Sequence, residues 1–185
     1  MRTLLALLLM LCTSHVFAQA RSVDMAKSRL AFVYTMEKRI TVEGRFPKFS
    51  AQVVFDEKQP EKGSIRIEID IAAIDTGSSD GDAEAKQRVW FDTSKFAKAS
   101  FSSSSIKRTG ERRYEALGTL TIKGRPREVV IPFTMTNAAA GGLVTQGSVT
   151  VKRLAFGVGV EQWTDVSQIA DEVDVKFNLA LGAPR

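Results

Sequence analysis

Cysteine and histidine are almost missing from this chain of 185 residues, which contains one of each, Cys12 and His15. Both lie in an N-terminal segment that has the features of an export signal and would be removed from the mature protein. A mature chain without thiol or imidazole groups forms no disulfide bond and lacks the side chain that titrates nearest neutral pH. The same absence excludes Cys–His and Ser–His–Asp catalysis, zinc sites built on Cys or His, and haem ligation through His.

The chain also lacks a long hydrophobic run. Its most apolar stretch extends over residues 4–11, about half of the roughly twenty residues that a membrane-spanning helix needs. Arg2 precedes this stretch and the small residues Ala18 and Ala20 follow it, which is the pattern of a cleaved signal peptide. We therefore expect residues 1–18 to be a signal peptide, with cleavage after position 20 as the alternative, and residues 19–185 to form a single exported domain.

Extended blocks of one charge sign are missing as well. The net charge is +5, from 26 basic and 21 acidic residues that are mixed along the chain, with one tight basic group at residues 123–127. A basic balance can indicate a nucleic-acid partner, but a scattered pattern on an exported protein favours a solvated surface, so no such partner is expected. The acidic residues around Asp80 do not fit a calcium loop, because Ala85 and Phe91 occupy the positions that need Gly and Glu. No metal site and no catalytic residue are predicted.

Alternation of apolar and polar residues is the dominant pattern that the sequence does contain. Isoleucines at positions 65, 67, 69 and 71 alternate with charged residues, and residues 173–181 repeat the pattern with Val, Phe and Leu. One apolar face and one polar face are typical of an antiparallel strand with one buried side. Seven weaker segments bring the total to eight or nine strands joined mostly by short turns. These segments are 30–36, 40–46, 51–56, 101–107, 114–122, 129–136 and 144–153.

Only the span from Asp75 to Ala99 departs from this pattern. Ser78 and Ser79 can cap a short helix over Asp80–Arg88, and residues 93–96 predict a further turn. An antiparallel meander of this many strands closes into a barrel or folds as a two-sheet sandwich, and composition does not choose between the two. A barrel of about eight strands has room for one small ligand.

Several motifs occur in a fixed order through the mature chain. They are Val42-x-Gly44-x-Phe46-x-x-Phe49, Val53-x-Phe55-Asp56, Ile74-Asp75-Thr76-Gly77, Trp90-Phe91-Asp92, Phe96-x-x-Ala99-x-Phe101-x-Ser103, Gly118–Gly124, and Trp163 followed by Val173-x-Val175. In this order they resemble the YceI-like family of periplasmic polyisoprenoid-binding proteins. Two positions depart from the family pattern: Gly81–Ala85 stands where an Arg-Asp-x-His or Arg-Asp-x-Asp segment is frequent, and Ala97 stands where Pro is usual.

The resemblance implies an all-β, lipocalin-like fold: an eight-stranded antiparallel up-and-down barrel with one or two short helices within residues 78–97. It also implies a periplasmic, non-enzymatic carrier that holds a long-chain isoprenoid lipid, such as a quinone, in its apolar interior and needs no other cofactor. The side chains expected to contact the lipid are apolar or aromatic. They are Phe46, Phe49, Phe55, Ile65, Ile67, Ile69, Trp90, Phe91, Phe96, Phe101, Phe133 and Trp163.

Three alternatives stay open. The first is a lipid-free stress or interaction module on the same barrel, and the second is a hydrolase that uses paired carboxylates. The third is an outer-membrane barrel, although such barrels carry two aromatic girdles and this chain has only two Tyr and two Trp. Transient contact with a membrane surface or a membrane redox protein, and a homodimer, are further expectations.

Overall fold

The structure, a computed structural model, describes residues 20–184; the expected signal peptide lies outside the described residues. These residues form one antiparallel sheet in the order β2-β1-β3-β4-β5-β6-β7-β8-β9, and β1 also pairs with β9. The strands are β1 (Ala20–Met36), β2 (Ile40–Arg45), β3 (Phe49–Val54), β4 (Ser64–Asp70), β5 (Lys98–Gly110), β6 (Arg113–Ile122), β7 (Arg125–Asn137), β8 (Leu143–Lys152) and β9 (Ile169–Pro184).

Pairing between the first and last strands closes the sheet into a barrel. β1 pairs with β9 along one edge, and along its other edge it pairs with β2 and then with β3. β2 and β3 therefore share one position around the barrel, separated only by Phe46-Pro47-Lys48, where proline removes a ladder donor. The nine strands fill eight positions, which confirms the eight-stranded up-and-down barrel over the two-sheet sandwich.

The alternating pattern of β4 sets its inward face. Val53 of β3 pairs with Ile65, and Ile67 pairs with Phe101 of β5, so the apolar residues of three neighbouring strands lie on one side. The strand ends at Asp70, one residue before the predicted alternation ends. The Asp70 carboxylate accepts a hydrogen bond from the Ala72 amide at 3.1 Å and caps a short 3-10 helix, Ile71–Ala73.

The predicted helix is present in a shorter form. α1 (Ser79–Ala85) begins after Ser78, whose hydroxyl accepts a hydrogen bond from the Gly81 amide at 3.1 Å. The helix ends three residues before the predicted Arg88, because the chain folds back and the Phe91 amide donates to the Ala85 carbonyl at 3.0 Å. The turn predicted at 93–96 is also present, and no helix of residues 20–184 has the length and apolar character required to cross a bilayer.

The meander gives the barrel two different ends. One end carries the β1–β2 turn, the long β4–β5 connection with α1, the β6–β7 turn and the long β8–β9 connection. The other end carries the β3–β4 connection, the short β5–β6 and β7–β8 turns, and both ends of the described chain. The two long connections, which hold most of the irregular structure, therefore lie over the same end.

Candidate ligand cavity

The interior of the barrel is hollow. It contains a cavity of about 480 Å³, to which all nine strands and α1 contribute side chains. This volume lies within the range of about 300–1,000 Å³ that is typical of sites for small molecules. A row of isoleucines on β4 (Ile65, Ile67, Ile69) faces the hollow, together with Val173 and Val175 of β9. These five side chains pack against the core but are only half-buried, because they border an open space.

The end of the barrel that carries the short turns is filled by aromatic rings. Phe55 and Tyr114 are each 1% exposed, and their ring centroids lie 5.1 Å apart in an edge-to-face arrangement. Phe133 stacks on Tyr114 at 5.5 Å and borders the cavity, so it forms the floor of the hollow. We call these three residues the closed end. Their packing leaves the other end, under the long connections, as the entrance.

Polar groups line the cavity mainly at that entrance, which we call the mouth and define by Tyr34, Ser78, Glu84, Trp90 and Trp163. Burial raises the pKa of the Tyr34 phenol above its ordinary value. Nε1 of Trp90 donates a hydrogen bond to Oε1 of Glu84 at 3.0 Å, and the Trp90 and Trp163 rings lie 5.5 Å apart. The mouth therefore combines an indole pair with a carboxylate, whereas the rest of the wall is mostly aliphatic and aromatic.

Arg153 is the most unusual residue at this end, because its side chain is charged and the residue is only 4% exposed. All five of its N–H groups donate to backbone carbonyls, at 2.7–3.1 Å. The acceptors are the carbonyls of Val158, Gly159, Trp163, Ile169 and Ala170.

The guanidinium of Arg153 also lies 5.6 Å from the Trp90 ring centroid, a cation–π distance. Among residues 20–184 no carboxylate oxygen lies within 4.0 Å of it. Burial lowers the pKa of Arg153, and the charge of Asp171 partly offsets this effect, yet a guanidinium keeps its proton in a protein. The group therefore holds the β8–β9 connection against the mouth and adds a positive charge without an ion-pair partner.

Gly159 is required for this arrangement. It has a φ of +69°, which L side chains rarely adopt, and a Cβ built there would lie 2.8 Å from the Trp90 ring and would also collide with the Arg153 guanidinium. A glycine at this position lets the backbone carbonyl reach Nη1 of Arg153 at 2.7 Å.

The acidic residues near α1 are used within the chain. Oδ2 of Asp75 lies 2.7 Å from Nη2 of Arg45, and hydrogen bonds from Arg45 and from the Gly77 amide lower the pKa of Asp75. Oδ1 of Asp82 accepts hydrogen bonds from both the amide and the hydroxyl of Thr76, at 2.7 and 2.8 Å. These carboxylates brace the segment that leads into α1.

The structure brings most of the predicted contact residues to the cavity and separates three of them from it. Phe49 packs against the core outside the cavity wall, Phe55 is part of the closed end, and Phe96 packs against the β6–β7 turn at Gly124. Lipid contact by any of the twelve residues stays a prediction. The predicted residues on the wall are Phe46, Ile65, Ile67, Ile69, Trp90, Phe91, Phe101, Phe133 and Trp163.

Several wall residues were not predicted. Tyr34 and Met36 of β1 continue the alternation that begins at Leu30 and Phe32, so the period-two pattern could have identified them. Thr145 interrupts an otherwise apolar inward row on β8, and Arg153 stands at its end. No sequence signal distinguishes either residue from a solvated strand position.

A closed up-and-down barrel with an apolar cavity, sealed at one end and polar at the other, defines the class: a lipocalin-like barrel with an interior suited to an apolar ligand. Within that class the chain belongs to the YceI-like domain family, whose profile matches residues 22–181.

Relatives with solved structures share this fold. The chain superposes on BcnA of Burkholderia cenocepacia with a TM-score of 0.83 and 38% identity, covering 86% of this chain and 99% of that one. A domain of Saccharophagus degradans described as polyisoprenoid-binding superposes with a TM-score of 0.69 at 16% identity, covering 90% of this chain and 99% of that one. At that identity the second likeness shows the fold alone.

Curated relatives match by sequence over shorter spans. A UPF0312 protein of Photorhabdus laumondii is 32% identical over 88 residues, which are 48% of this chain and 45% of that protein. The protein YceI of Escherichia coli O157:H7 is 24% identical over 143 residues, 74% of this chain and 71% of that protein. The chain thus spans about half the length of the first curated relatives it matches.

Proposed function

We propose that this protein is a periplasmic carrier that holds a long-chain isoprenoid lipid, such as a quinone, inside the barrel and performs no chemistry on it. The observation that carries the proposal is the cavity of about 480 Å³, walled by aliphatic and aromatic side chains and sealed at one end by Phe55, Tyr114 and Phe133. The description of the Saccharophagus degradans domain as polyisoprenoid-binding supports the same ligand class.

Hydrophobic burial accounts for the affinity of such a site. Each methylene moved from water to an apolar wall contributes roughly 0.8 kcal/mol, so a five-carbon isoprene unit contributes up to about 4 kcal/mol. The summed contribution of several units would exceed the practical limit of roughly 20 kcal/mol for a non-covalent complex. The entropy that the lipid tail loses when it is ordered in the cavity therefore offsets much of the favourable free energy of burial. Tail length is then selected loosely, by the volume that the cavity offers.

The chemistry of the wall favours binding over hydrolysis. Among the described residues that line the cavity, Glu84 is the one that carries a carboxylate, and its Oε1 accepts the indole hydrogen bond of Trp90. A glycosidase-type mechanism needs two carboxylates that flank one bond. The wall residues therefore support a carrier, and the carboxylate-based hydrolase is the weaker candidate.

The proposal includes export to the periplasm and brief contact with a membrane surface or a membrane redox protein. A carrier of this kind must collect its lipid from a bilayer, because the long hydrocarbon tail makes the free lipid nearly insoluble in water. Release by osmotic shock without detergent tests the location and distinguishes a periplasmic barrel from an outer-membrane barrel. The mass of the released protein shows whether it is a monomer or the homodimer.

Native mass spectrometry and organic extraction of the protein from its own host test the lipid directly. We expect an isoprenoid lipid at about one molecule per chain, and its loss from the double variant Trp90→Ala/Phe101→Ala, because both side chains border the cavity. Phe96→Ala is the matched control, since that ring packs against Gly124 outside the wall. Absence of lipid from the native protein would favour the lipid-free interaction module, and equal retention by the double variant would contradict the cavity as the site.

A further inference from the structure

Two polar side-chain atoms on the cavity wall are buried without a hydrogen-bond partner. Within residues 20–184, unpartnered buried atoms of this kind are Oε1 of Gln59, Oγ1 of Thr145 and Nε1 of Trp163. Gln59 lies in the β3–β4 connection, whereas Thr145 and Trp163 both border the cavity. Native proteins rarely leave such groups unpaired, and the exceptions call for a bound molecule or water that supplies the partner.

The two atoms mark different depths of the cavity. Thr145 pairs across the sheet with Met135 and Leu179, which are 1% and 3% exposed, close to the closed end. Trp163 lies at the mouth, and its ring is tilted by 49° against that of Trp90. The polar end of an elongated ligand can meet only one of these positions while its apolar tail fills the rest.

The surroundings of Trp163 favour the mouth. Its backbone carbonyl accepts a hydrogen bond from Nη2 of Arg153 at 2.7 Å. Its ring lies 5.5 Å from the Trp90 ring, and the Arg153 guanidinium lies 5.6 Å from the Trp90 ring centroid, so the indole and the buried charge belong to one cluster at the mouth. Because that guanidinium uses all five of its N–H groups on carbonyls, it acts on a ligand through its charge. Nε1 of Trp90 already donates to Glu84, so the indole donor left for a ligand at the mouth is that of Trp163.

The surroundings of Thr145 offer less. Its cross-strand neighbours Met135 and Leu179 are apolar, and a hydroxyl between them can act either as donor or as acceptor. A donor beside a positive charge, by contrast, selects an oxygen that carries full or partial negative charge.

We propose that the ligand lies with its polar end at the mouth, where an oxygen acceptor of the head group receives a hydrogen bond from Nε1 of Trp163 in the field of Arg153. This inference rests on the proposed lipid-binding function and adds the chemistry of the head group. A quinone carbonyl and a phosphate oxygen both satisfy it, whereas a chain without a head group does not.

The test compares three lipids that share one geranylgeranyl chain: a benzoquinone, a monophosphate and the head-free hydrocarbon. Affinities are measured by displacement of a fluorescent fatty-acid probe from the delipidated full chain. We expect the quinone, the phosphate or both to bind about tenfold more tightly than the hydrocarbon, the ratio that one buried hydrogen bond supplies. The comparison between quinone and phosphate identifies whether the site prefers a carbonyl oxygen or a phosphate oxygen as the hydrogen-bond acceptor.

Two matched variants locate the contact. Trp163→Phe keeps an aromatic ring and removes the N–H, and Thr145→Val keeps the shape and removes the hydroxyl. We expect Trp163→Phe to reduce the ratio of head-group lipid to hydrocarbon affinity to near one, and Thr145→Val to retain it. A thermal unfolding curve for each variant establishes that the barrel is folded. If a variant does not fold, the comparison of the three lipids on the wild-type protein still tests whether the head group contributes to binding.

Each other outcome overturns a specific statement. Equal binding of all three lipids to the unaltered protein rejects the head-group contact and leaves the carrier function standing. If Thr145→Val abolishes the preference for head-group lipids over the hydrocarbon and Trp163→Phe retains it, the head group lies at the closed end and the proposal is overturned. An equal fall in affinity for every lipid in Trp163→Phe assigns that residue to packing alone. Binding of none of the lipids rejects the carrier function itself.

Discussion

Arg153 is the residue on which the β8–β9 connection depends. Its guanidinium satisfies five carbonyls that lie within residues 158–170, and nearly all of its surface is buried. We expect Arg153→Met to lower the free energy of unfolding by about 2–4 kcal/mol, because the methionine fills part of the space and leaves buried carbonyls without donors. Urea denaturation followed by circular dichroism measures the change.

Arg153→Lys and Arg127→Lys are the matched controls. Lysine keeps the charge but offers three donors on a compact ammonium, so Arg153→Lys should fall between the wild type and Arg153→Met. Arg127 is exposed, and within residues 20–184 its one hydrogen-bond acceptor is the Ala155 carbonyl, so Arg127→Lys should change stability by less than about 0.5 kcal/mol. A midpoint for Arg153→Met equal to that of Arg127→Lys would contradict the structural role.

The sequence could not reveal the role of Arg153. Ile65, Ile67 and Ile69 are predictable as wall residues because alternation is a local property of the strand that carries them. Arg153 ends a strand of the same kind, where a charged residue is normally solvated. Its burial depends on how residues 158–170 fold over it, and that shape has no periodic signature.

The β6–β7 turn shows how one element constrains its neighbour. Lys123 and Gly124 have φ angles of 49° and 70°, as a two-residue hairpin turn requires, and a Cβ on Gly124 would lie 2.7 Å from the Phe96 ring. We expect Gly124→Ala to lower the free energy of unfolding by about 1–2 kcal/mol, because alanine is strained at positive φ and meets the ring. Thermal or urea unfolding checks the value.

Gly110, at the β5–β6 turn, provides the comparison for Gly124. The nearest atom to a Cβ built at Gly110 is Cδ of Arg113 at 3.5 Å, an ordinary contact, and no positive φ is present there. Gly110→Ala should therefore be neutral or slightly stabilising. If the two alanine variants lost equal stability, backbone strain at Gly124 would not be the cause.

Other elements were predictable to different degrees. The Ser78 cap and the short turns follow from residue types with known local preferences, and both appear in the structure. The early end of α1 depends on the Phe91 amide reaching back to Ala85, a contact that residue preferences do not encode. The interruption between β2 and β3 lies at Pro47, but the sequence did not show that both strands serve one position in the barrel.

At the scale of the whole molecule, a period-two pattern predicts which residues point inward and does not predict whether they meet in the middle. That outcome depends on the number of strands and on side-chain volumes summed around the barrel. Here the rings of Phe55, Tyr114 and Phe133 fill one end, and the smaller residues above them leave the space open.

On the proposed carrier function, filling that space should change the lipids that bind. Val149 borders the cavity, pairs with Val175 and is half-buried, so the larger side chain of Val149→Trp should occupy volume that a lipid tail would use. We expect shorter tails, or less lipid per chain, in organic extracts of this variant, with a stability change of no more than about 1–3 kcal/mol. Mass spectrometry of the extracts measures both quantities.

Val130→Trp is the control for this change. Val130 is 48% exposed and does not border the cavity, so a tryptophan there adds the same ring to the outside of the barrel. The lipid profile of Val130→Trp should equal that of the wild type. Identical profiles for Val149→Trp and Val130→Trp would show that the tail does not lie beside Val149.

Closure of the barrel through β1 and β9 brings the two ends of the described chain side by side. Arg21 pairs with Pro184, and Nη1 of Arg21 donates to the Gly182 carbonyl at 3.1 Å, at the end of the barrel opposite the mouth. A fluorescent reporter fused next to residue 20 or residue 184 would therefore lie at the end of the barrel opposite the mouth and leave the entrance clear. For the same reason a short peptide linker could join residues 20 and 184, and a circularly permuted protein could be opened at an exposed turn with its cavity intact.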